Sequence, residues 1–268
     1  MASPLPAGTR RRALSAALAS LGLTSVMIMT GGGLTPASAA TWPTANGSQA
    51  VTATISVSGT EDYGMKRLYG SGDLGTGGQS EDQDPLLELA PGAVVKNVII
   101  GAPAADGIHC LGACTLQNVW WEDVGEDAAT FLGSSSSNVY TVSGGGAKEA
   151  SDKVFQFNGA GTLNVSNFAV QNFGKLVRSC GNCKTQYKRT INLNTIEATY
   201  KGSALAGINT NYGDSATLKK ITIVGDGSKK IVPCQKYIGN NTGAEPPKNG
   251  SDADGTYCKY SSSDITYK

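Results

Sequence analysis

The chain lacks several features on which common protein classes depend. It has a single histidine, His109, among 268 residues, and helix-forming stretches are scarce. With one histidine, neither a histidine-rich zinc site nor a serine–histidine triad is well supported. Beyond residue 40, no stretch is apolar for long enough to span a bilayer. We therefore predict that the mature chain has no membrane partner.

Strong net charge is also lacking. Lys and Arg number 22, Asp and Glu number 21, and the formal net charge is +1. Removal of residues 1–40 would take away Arg10, Arg11 and Arg12 and no acid, so the charge would fall by three, to −2. A near-neutral protein is not built to bind nucleic acid through bulk charge, and we predict no nucleic-acid partner. A polyanion must instead be held by a local cluster of cations.

The first 40 residues are predicted to be a secretory signal peptide. The three arginines form a basic start, residues 13–29 are apolar, and residues 37–40 (Ala-Ser-Ala-Ala) offer a cleavage site before Thr41. A membrane anchor is the weaker alternative, and the consecutive arginines leave a twin-arginine export route open. We predict a secreted, extracellular protein in which residues 41–268 form one domain.

Cysteines are few but fit an exported chain with disulfide bonds. Six cysteines allow about fifteen pairings. Their order favours three short-range pairs, namely Cys110 with Cys114, Cys180 with Cys183, and Cys234 with Cys258. The C-x-x-C spacing at Cys180 also occurs in redox and zinc motifs, but the chain has no second C-x-x-C and no thioredoxin-like pattern around this one.

Short β runs separated by Gly, Ser, Asn and Asp fill the chain from residue 94 onward. They are predicted at residues 94–100, 115–124, 138–142, 163–170, 190–195 and 218–224. Asn-Val pairs at Asn97, Asn118, Asn138 and Asn164 recur at intervals of roughly 20 to 27 residues, which is typical of a solenoid. The pattern favours an all-β fold, a right-handed parallel β-helix. An antiparallel sandwich is the competitor, but it predicts more Asn-Gly or Asp-Gly hairpins than the chain contains.

Both ends of the mature chain differ from this repeat. The tail from residue 233 is rich in Asn, Gly and Pro, and we predict an irregular segment stapled by Cys234 and Cys258. Residues 41–65 show alternating Thr and are predicted to be β structure that caps or opens the other end of the solenoid.

A parallel β-helix would bring distant acidic residues together, because residues one coil apart lie about 4.8 Å apart on the same face. Asp106 and Asp127 differ by 21 positions, about one coil, and Glu126 follows Gly125, where the chain can bend. Clustered carboxylates repel one another unless a cation joins them, and oxygen ligands suit calcium. We predict that Asp106, Glu126 and Asp127 bind Ca²⁺. The competing interpretation is a solvated acidic turn.

Basic residues recur at the same spacing. Lys153 and Lys175 are 22 positions apart, and Arg178 follows Lys175 within one short run. Stacked beside an acidic face, these cations would form a groove for a carboxylated chain, to which Lys148 is also predicted to contribute. Ordinary surface charge is the alternative, especially for Lys148 and Lys184.

The aromatic and histidine residues near the acidic group are assigned structural roles. His109, beside a cysteine, is predicted to be packed and hydrogen-bonded rather than a metal ligand. Trp120 and Trp121 should alternate inward and outward on their strand. We expect one of them in the core and the other beside the groove wall.

Four motifs in order resemble the polysaccharide lyase family 3 pectate lyases. They are D-G-I-H-C-x-G-x-C from Asp106, N-V-W-W-E-D-V-G-E-D-A from Asn118, D-K-V-F-Q from Asp152 and G-K-L-V-R from Gly174. The resemblance runs from about Glu81 to Arg178, and the Cys-rich tail is also similar. It implies a small right-handed parallel β-helix, calcium dependence and cleavage of polygalacturonate.

The resemblance also implies roles by position. The calcium and acidic substrate region corresponds to Asp106, Glu126 and Asp127, the catalytic and substrate-binding cations to Lys153, Lys175 and Arg178, and further cleft residues to Glu81 and Asp152. In one departure, some members have a lysine shortly after the Gly-Glu-Asp motif where this chain has Phe131-Leu132. A peripheral substrate contact is therefore expected to be absent.

The implied reaction is β-elimination of α-1,4-linked galacturonate, with Lys153 as the base. Lys153 must be neutral for this, and we expect Arg178, Lys175 and calcium to depress its pKa. Arg178 is the second choice, because guanidinium almost never gives up its proton. Water or Glu81 would protonate the leaving oxygen.

Two other functions fit parts of the sequence. A pectin glycoside hydrolase would use two carboxyl groups and has no place for the stacked cations. A non-catalytic pectin-binding module could use the same groove without a neutral lysine. For each of these functions we expect the chain to act as a monomer.

Overall fold

The computed structural model describes residues 41–80 and 82–268, which belong to one compact unit. The predicted signal peptide, residues 1–40, and Glu81 lie outside the described residues. The strands are β1 (Ser48–Val51), β2 (Ile55–Val57), β3 (Thr60–Gly70), β4 (Leu87–Leu89), β5 (Val94–Ile100), β6 (Ile108–Cys110), β7 (Thr115–Trp121), β8 (Ala129–Phe131), β9 (Val139–Phe157), β10 (Gly161–Ser179), β11 (Arg189–Asn209), β12 (Ser215–Val224), β13 (Val232–Tyr237), β14 (Cys258–Lys259) and β15 (Ile265–Tyr267). Three short 3₁₀ turns occur at Gly72–Leu74, Thr210–Tyr212 and Ser262–Asp264.

Every pairing between these strands is parallel, so the predicted right-handed parallel β-helix is confirmed and the sandwich is excluded. One row of strands runs β1-β3-β5-β7-β9-β10-β11-β12-β14, and a second, β2-β4-β6-β8, joins it at β9. Val94 lies opposite Thr115, which lies opposite Thr141, so these coils are 21 and 26 residues long.

The recurring asparagines are bends within strands rather than strand starts. Asn97 and Asn118 have positive φ values of 51° and 55°, a left-handed conformation that asparagine tolerates well. The Nδ2 atom of Asn118 donates to Oδ1 of Asn97 at 2.8 Å, and Nδ2 of Asn97 donates to Oδ1 of Asp62 at 2.9 Å. Each bend turns the chain from one face of a coil to the next, and the side-chain ladder stabilises the stack.

Aromatic side chains fill the solenoid interior. Trp121 is fully buried, with its ring centroid 5.9 Å from that of Phe155 and 6.3 Å from that of Phe168. Trp120 points outward and packs edge-to-face on Trp42 at 4.9 Å, rather than beside the groove. The alternation of the two tryptophans is therefore confirmed.

All three predicted disulfides are present, Cys110–Cys114, Cys180–Cys183 and Cys234–Cys258. The tail is more regular than expected, because it contains β13, β14 and β15, which pair with β11 and β12. Across residues 41–80 and 82–268, no helix is long and apolar enough to cross a membrane.

Candidate active site

The acidic residues converge because β6 and β8 stack in register. Ile108 pairs with Ala129, and Asp106 and Asp127 each lie two residues before these partners. One carboxylate oxygen from each of Asp106, Glu126 and Asp127 lies within 4.8 Å of the other two, and all three residues are buried.

Glycine permits this close approach. A Cβ atom on Gly125 would lie 2.1 Å from the carbonyl oxygen of Ala105. A Cβ atom on Gly107, whose φ is +54°, would lie 2.3 Å from the carbonyl oxygen of Ala128. The two turns that carry the acids can therefore pack backbone against backbone only with glycine at these positions.

The carboxylate cluster fits a hard cation. Oδ1 of Asp106 and Oδ1 of Asp127 are buried and have no hydrogen-bond donor, which is costly for a charged oxygen unless a cation satisfies it. Burial raises the pKa of Asp127 well above its usual value, and the charges of Glu126 and Asp106 raise it further, against Lys153. An all-oxygen ligand set of this kind is one that calcium accepts.

His109 is hydrogen-bonded, as predicted from the sequence. Its Nε2 atom lies 2.7 Å from Oδ2 of Asp106. This contact occupies one oxygen of the carboxylate and leaves Oδ1 directed into the cluster. His109 therefore positions Asp106, a role that sequence analysis did not assign to it.

The basic residues border the acidic cluster. Lys153 on β9 pairs in register with Lys175 on β10. The Nζ atom of Lys153 lies 2.8 Å from Asp152, 3.1 Å from Glu126 and 3.7 Å from Asp127, and Nζ of Lys175 lies 3.1 Å from Asp152. The structure thus brings the predicted acidic and basic groups into direct contact.

The expected depression of the Lys153 pKa is wrong for this arrangement. Burial lowers the pKa of Lys153, but the charges of Asp127, Asp152 and Glu126 and the hydrogen bond to Asp152 outweigh burial and raise it above its ordinary value. Burial also opposes ionisation of Asp152, yet the two lysines lower its pKa overall. The carboxylates next to Lys153, rather than the neighbouring cations, control its charge here.

Arg178 is held rigidly at the end of the basic row. Its Nη1 donates to Oδ1 of Asn209 at 3.0 Å and to the carbonyl oxygen of Ser179, and its guanidinium stacks 4.0 Å from the ring centroid of Tyr237. Burial lowers its pKa. Asn209 and Tyr237 were missed from the sequence, because they lie on later coils whose lengths of 28 and 29 residues depart from the earlier 21 and 22.

An open cleft of about 610 Å³ runs along this row, lined among others by Asp152, Lys153, Lys175 and Arg178. Lys148 does not line it. Its Nζ atom lies 3.8 Å from the ring centroid of Trp42, beside a separate, smaller cavity. The structure therefore does not bring Lys148 to the predicted groove.

Two other sequence positions bear on the cleft. Glu81 lies outside the described residues, so its predicted place in the cleft stays a prediction. Phe131, at the departure from the family pattern, is fully buried in the core on β8 and contacts Tyr140 and Phe155. It presents no side chain to a substrate.

Comparisons with known proteins agree with this arrangement. A family model described as Pectate lyase matches residues 39–243. Pectate lyase E of Emericella nidulans is 46% identical over 220 residues, covering 82% of this chain and 84% of the relative. The solved catalytic domain of pectate lyase PelI from Erwinia chrysanthemi superposes with a TM-score of 0.67 at 35% identity, covering 82% of this chain and 100% of that one. PelI in complex with tetragalacturonic acid gives a TM-score of 0.68 at 35% identity, covering 82% and 71%.

The fold and the charged cleft thus define an enzyme of the β-helix class. The chain belongs to the pectate lyase family.

Proposed function

We propose that the protein is a secreted, calcium-dependent pectate lyase that cleaves α-1,4-polygalacturonate by β-elimination. The observation that carries the proposal is the contact of the Lys153 ammonium with Glu126 and Asp127, at 3.1 and 3.7 Å, at the junction of the acidic cluster and the basic row. The solved complex of PelI with tetragalacturonic acid, the acid form of such a chain, supports this substrate class.

Asp106, Glu126 and Asp127 would hold Ca²⁺. When bound, calcium neutralises a galacturonate carboxylate and stabilises the charge that develops as C5 loses its proton. The two buried oxygens without donors, on Asp106 and Asp127, support this assignment.

Lys153 acts as the base in this proposal. The C5–H bond breaks and its proton passes to Nζ, a double bond forms between C4 and C5, and the C4–O4 bond breaks. Lys153 must begin as the neutral amine. Because the charges of Glu126 and Asp127 hold a proton on it, neutralising those carboxylates is the condition for its action.

Lys175 and Arg178 bind and orient the substrate carboxylate. Arg178 stays protonated, so it stabilises negative charge rather than taking a proton. Its hydrogen bonds to Asn209 and Ser179 fix the guanidinium before the substrate arrives, which reduces the reorganisation needed in the transition state. Water or Glu81 protonates the O4 leaving group.

Incubation of the mature protein with polygalacturonate, with and without a calcium chelator, tests this function. Ultraviolet absorbance of the 4,5-unsaturated product should appear and should be lost with the chelator. New reducing ends without that absorbance would mean hydrolysis. Neither signal would mean that the cleft only binds pectin.

Export completes the proposal. Residues 1–40 are proposed to be removed as a signal peptide, and the mature chain is proposed to act as a monomer. The three disulfides support an oxidising compartment. N-terminal sequencing of the secreted protein should begin at Thr41, and a start within the apolar segment would contradict this boundary.

We expect His109→Ala to weaken calcium binding about tenfold or more, the usual effect of losing a hydrogen-bond partner of a metal ligand. The reason is that His109 fixes the orientation of the Asp106 carboxylate at 2.7 Å. Calorimetric titration with calcium checks this. His109→Gln, which keeps a donor, should recover part of the loss, and unchanged affinity in His109→Ala would contradict the role.

In calcium-free buffer, the free energy of unfolding should fall as pH rises above about 4. The folded-state pKa of Asp127 lies above its model value of 3.8, so the folded protein binds more protons in this range than the unfolded chain. One such group contributes at most about 1.4 kcal/mol per pH unit. Thermal melts should show a shallower slope for Asp127→Asn, and an identical slope would contradict the pKa assignment.

A further inference from the structure

The C-terminal tail is attached to one end of the cleft. The backbone N–H of Asn240 donates to the carbonyl oxygen of Gly181 at 2.7 Å, and Nε2 of Gln186 donates to the carbonyl oxygen of Asn240 at 2.8 Å. Nδ2 of Asn182 donates to the carbonyl oxygen of Gly243 at 3.2 Å. The tail is thus fastened to the disulfide loop that follows Arg178.

This attachment places two tail residues in the cleft wall. Glu245 and Pro246 line the same cleft as Lys175 and Arg178. A Cβ atom on Gly181 would lie 2.1 Å from Nη2 of Arg178 and 2.4 Å from Cγ of Pro246. Glycine therefore lets the tail and the guanidinium pack against one backbone position. Pro246 is buried there, whereas Glu245 is exposed.

The row of cations stops where the tail arrives. On the next coil, Ala204 lies opposite Lys175 and Gly207 lies opposite Arg178. One coil further, Val232 lies opposite Ala204. These positions offer no positive charge to a substrate carboxylate, and the family match ends at residue 243, two residues before Glu245.

Glu245 supplies a negative charge that the cleft does not neutralise by contact. Among the described residues, the ion pairs within 4.0 Å do not include Glu245. Burial lowers the pKa of Arg178, and the charge of Glu245 is one of those that oppose this shift. Its field therefore reaches the row of cations.

We propose that Glu245 determines substrate specificity, because it makes the subsite beyond Arg178 unfavourable for an ionised galacturonate and favourable for a methyl-esterified one. The inference rests on the proposed lyase function. A carboxylate at this position would face Glu245 without a cation between them, and like charges repel. A methyl ester is neutral and meets no such repulsion.

The test compares wild type, Glu245→Gln and Asp252→Asn on fully de-esterified polygalacturonate and on partially methyl-esterified pectin. Asp252 is an exposed acid on the same tail that does not line the cleft, so its variant matches the change in net charge. At low ionic strength, Glu245→Gln should raise kcat/KM on polygalacturonate about two- to fivefold relative to pectin, the range for exposed charge pairs. The effect should shrink in high salt, and Glu245→Lys should shift the ratio further.

The outcomes separate this inference from the function beneath it. No unsaturated product from wild type on either substrate would refute the proposed function. An active wild type with an unchanged substrate ratio in Glu245→Gln would refute only the role of Glu245. An equal shift in Asp252→Asn would also refute it, since net charge alone would then be responsible.

Discussion

Replacing Lys153 with alanine should slow the release of unsaturated product from polygalacturonate by about 10²- to 10⁴-fold, the range for loss of a general base. Lys153 is the cation that contacts the acidic cluster, and its Nζ lies 3.1 Å from Glu126. No other described lysine forms an ion pair with Glu126 or Asp127. The measurement is kcat at saturating calcium and substrate, followed by ultraviolet absorbance.

Lys153→Arg separates the two roles of this side chain. Alanine removes a buried positive charge from beside three carboxylates, so a loss of stability would accompany the loss of a base. Arginine keeps the charge but does not release a proton at neutral pH. Lys153→Arg should therefore remain folded in thermal melts and still lack activity, while Lys259→Ala, on the exposed side of β14, should behave as wild type. Wild-type turnover in Lys153→Arg would show that another group takes the proton.

Asp127→Asn and Glu126→Gln should each lower activity at limiting calcium at least about 100-fold, and added calcium should restore part of it. Each substitution removes one negative charge from a set of three carboxylates, and calcium affinity depends on the number of charged ligands. Activity measured across a calcium titration gives the shift in the concentration needed for half-maximal rate. Calorimetry without substrate gives the matching loss of affinity.

Stability should respond in the opposite sense to activity in Asp127→Asn. Because burial disfavours the ionised form of Asp127, a neutral side chain of the same shape should leave the calcium-free protein at least as stable as wild type. Glu61→Gln, an exposed carboxylate on β3, serves as the control and should change neither property. Wild-type calcium dependence in both cluster variants would exclude this cluster as the metal site.

Much of the fold followed from spacing alone. Intervals near 21 residues predicted which positions would stack, and Asp106 with Asp127, and Lys153 with Lys175, meet at those intervals. Such predictions succeed because the pairing of parallel strands fixes a side chain's place along the axis. The aromatic core followed in the same way, from inward and outward alternation on β7.

Other features depend on side-chain direction and coil length, which spacing does not determine. Lys148 has the right spacing but turns to Trp42, since it lies at a bend beyond the residues that pair with β7. The charge of Lys153 depends on distances of a few ångströms to three acids. Tyr237 and Glu245 reach the cleft from a tail that departs from the repeat, so no interval in the sequence connects them to Arg178.

A crystal structure of the mature protein with calcium and a short galacturonate oligomer tests the central claim most directly. We predict an ion bound by Asp106, Glu126 and Asp127, with a substrate carboxylate beside it and the C5 atom of that sugar within reach of Nζ of Lys153. Calcium bound elsewhere, or an oligomer lying on another face of the solenoid, would contradict the account.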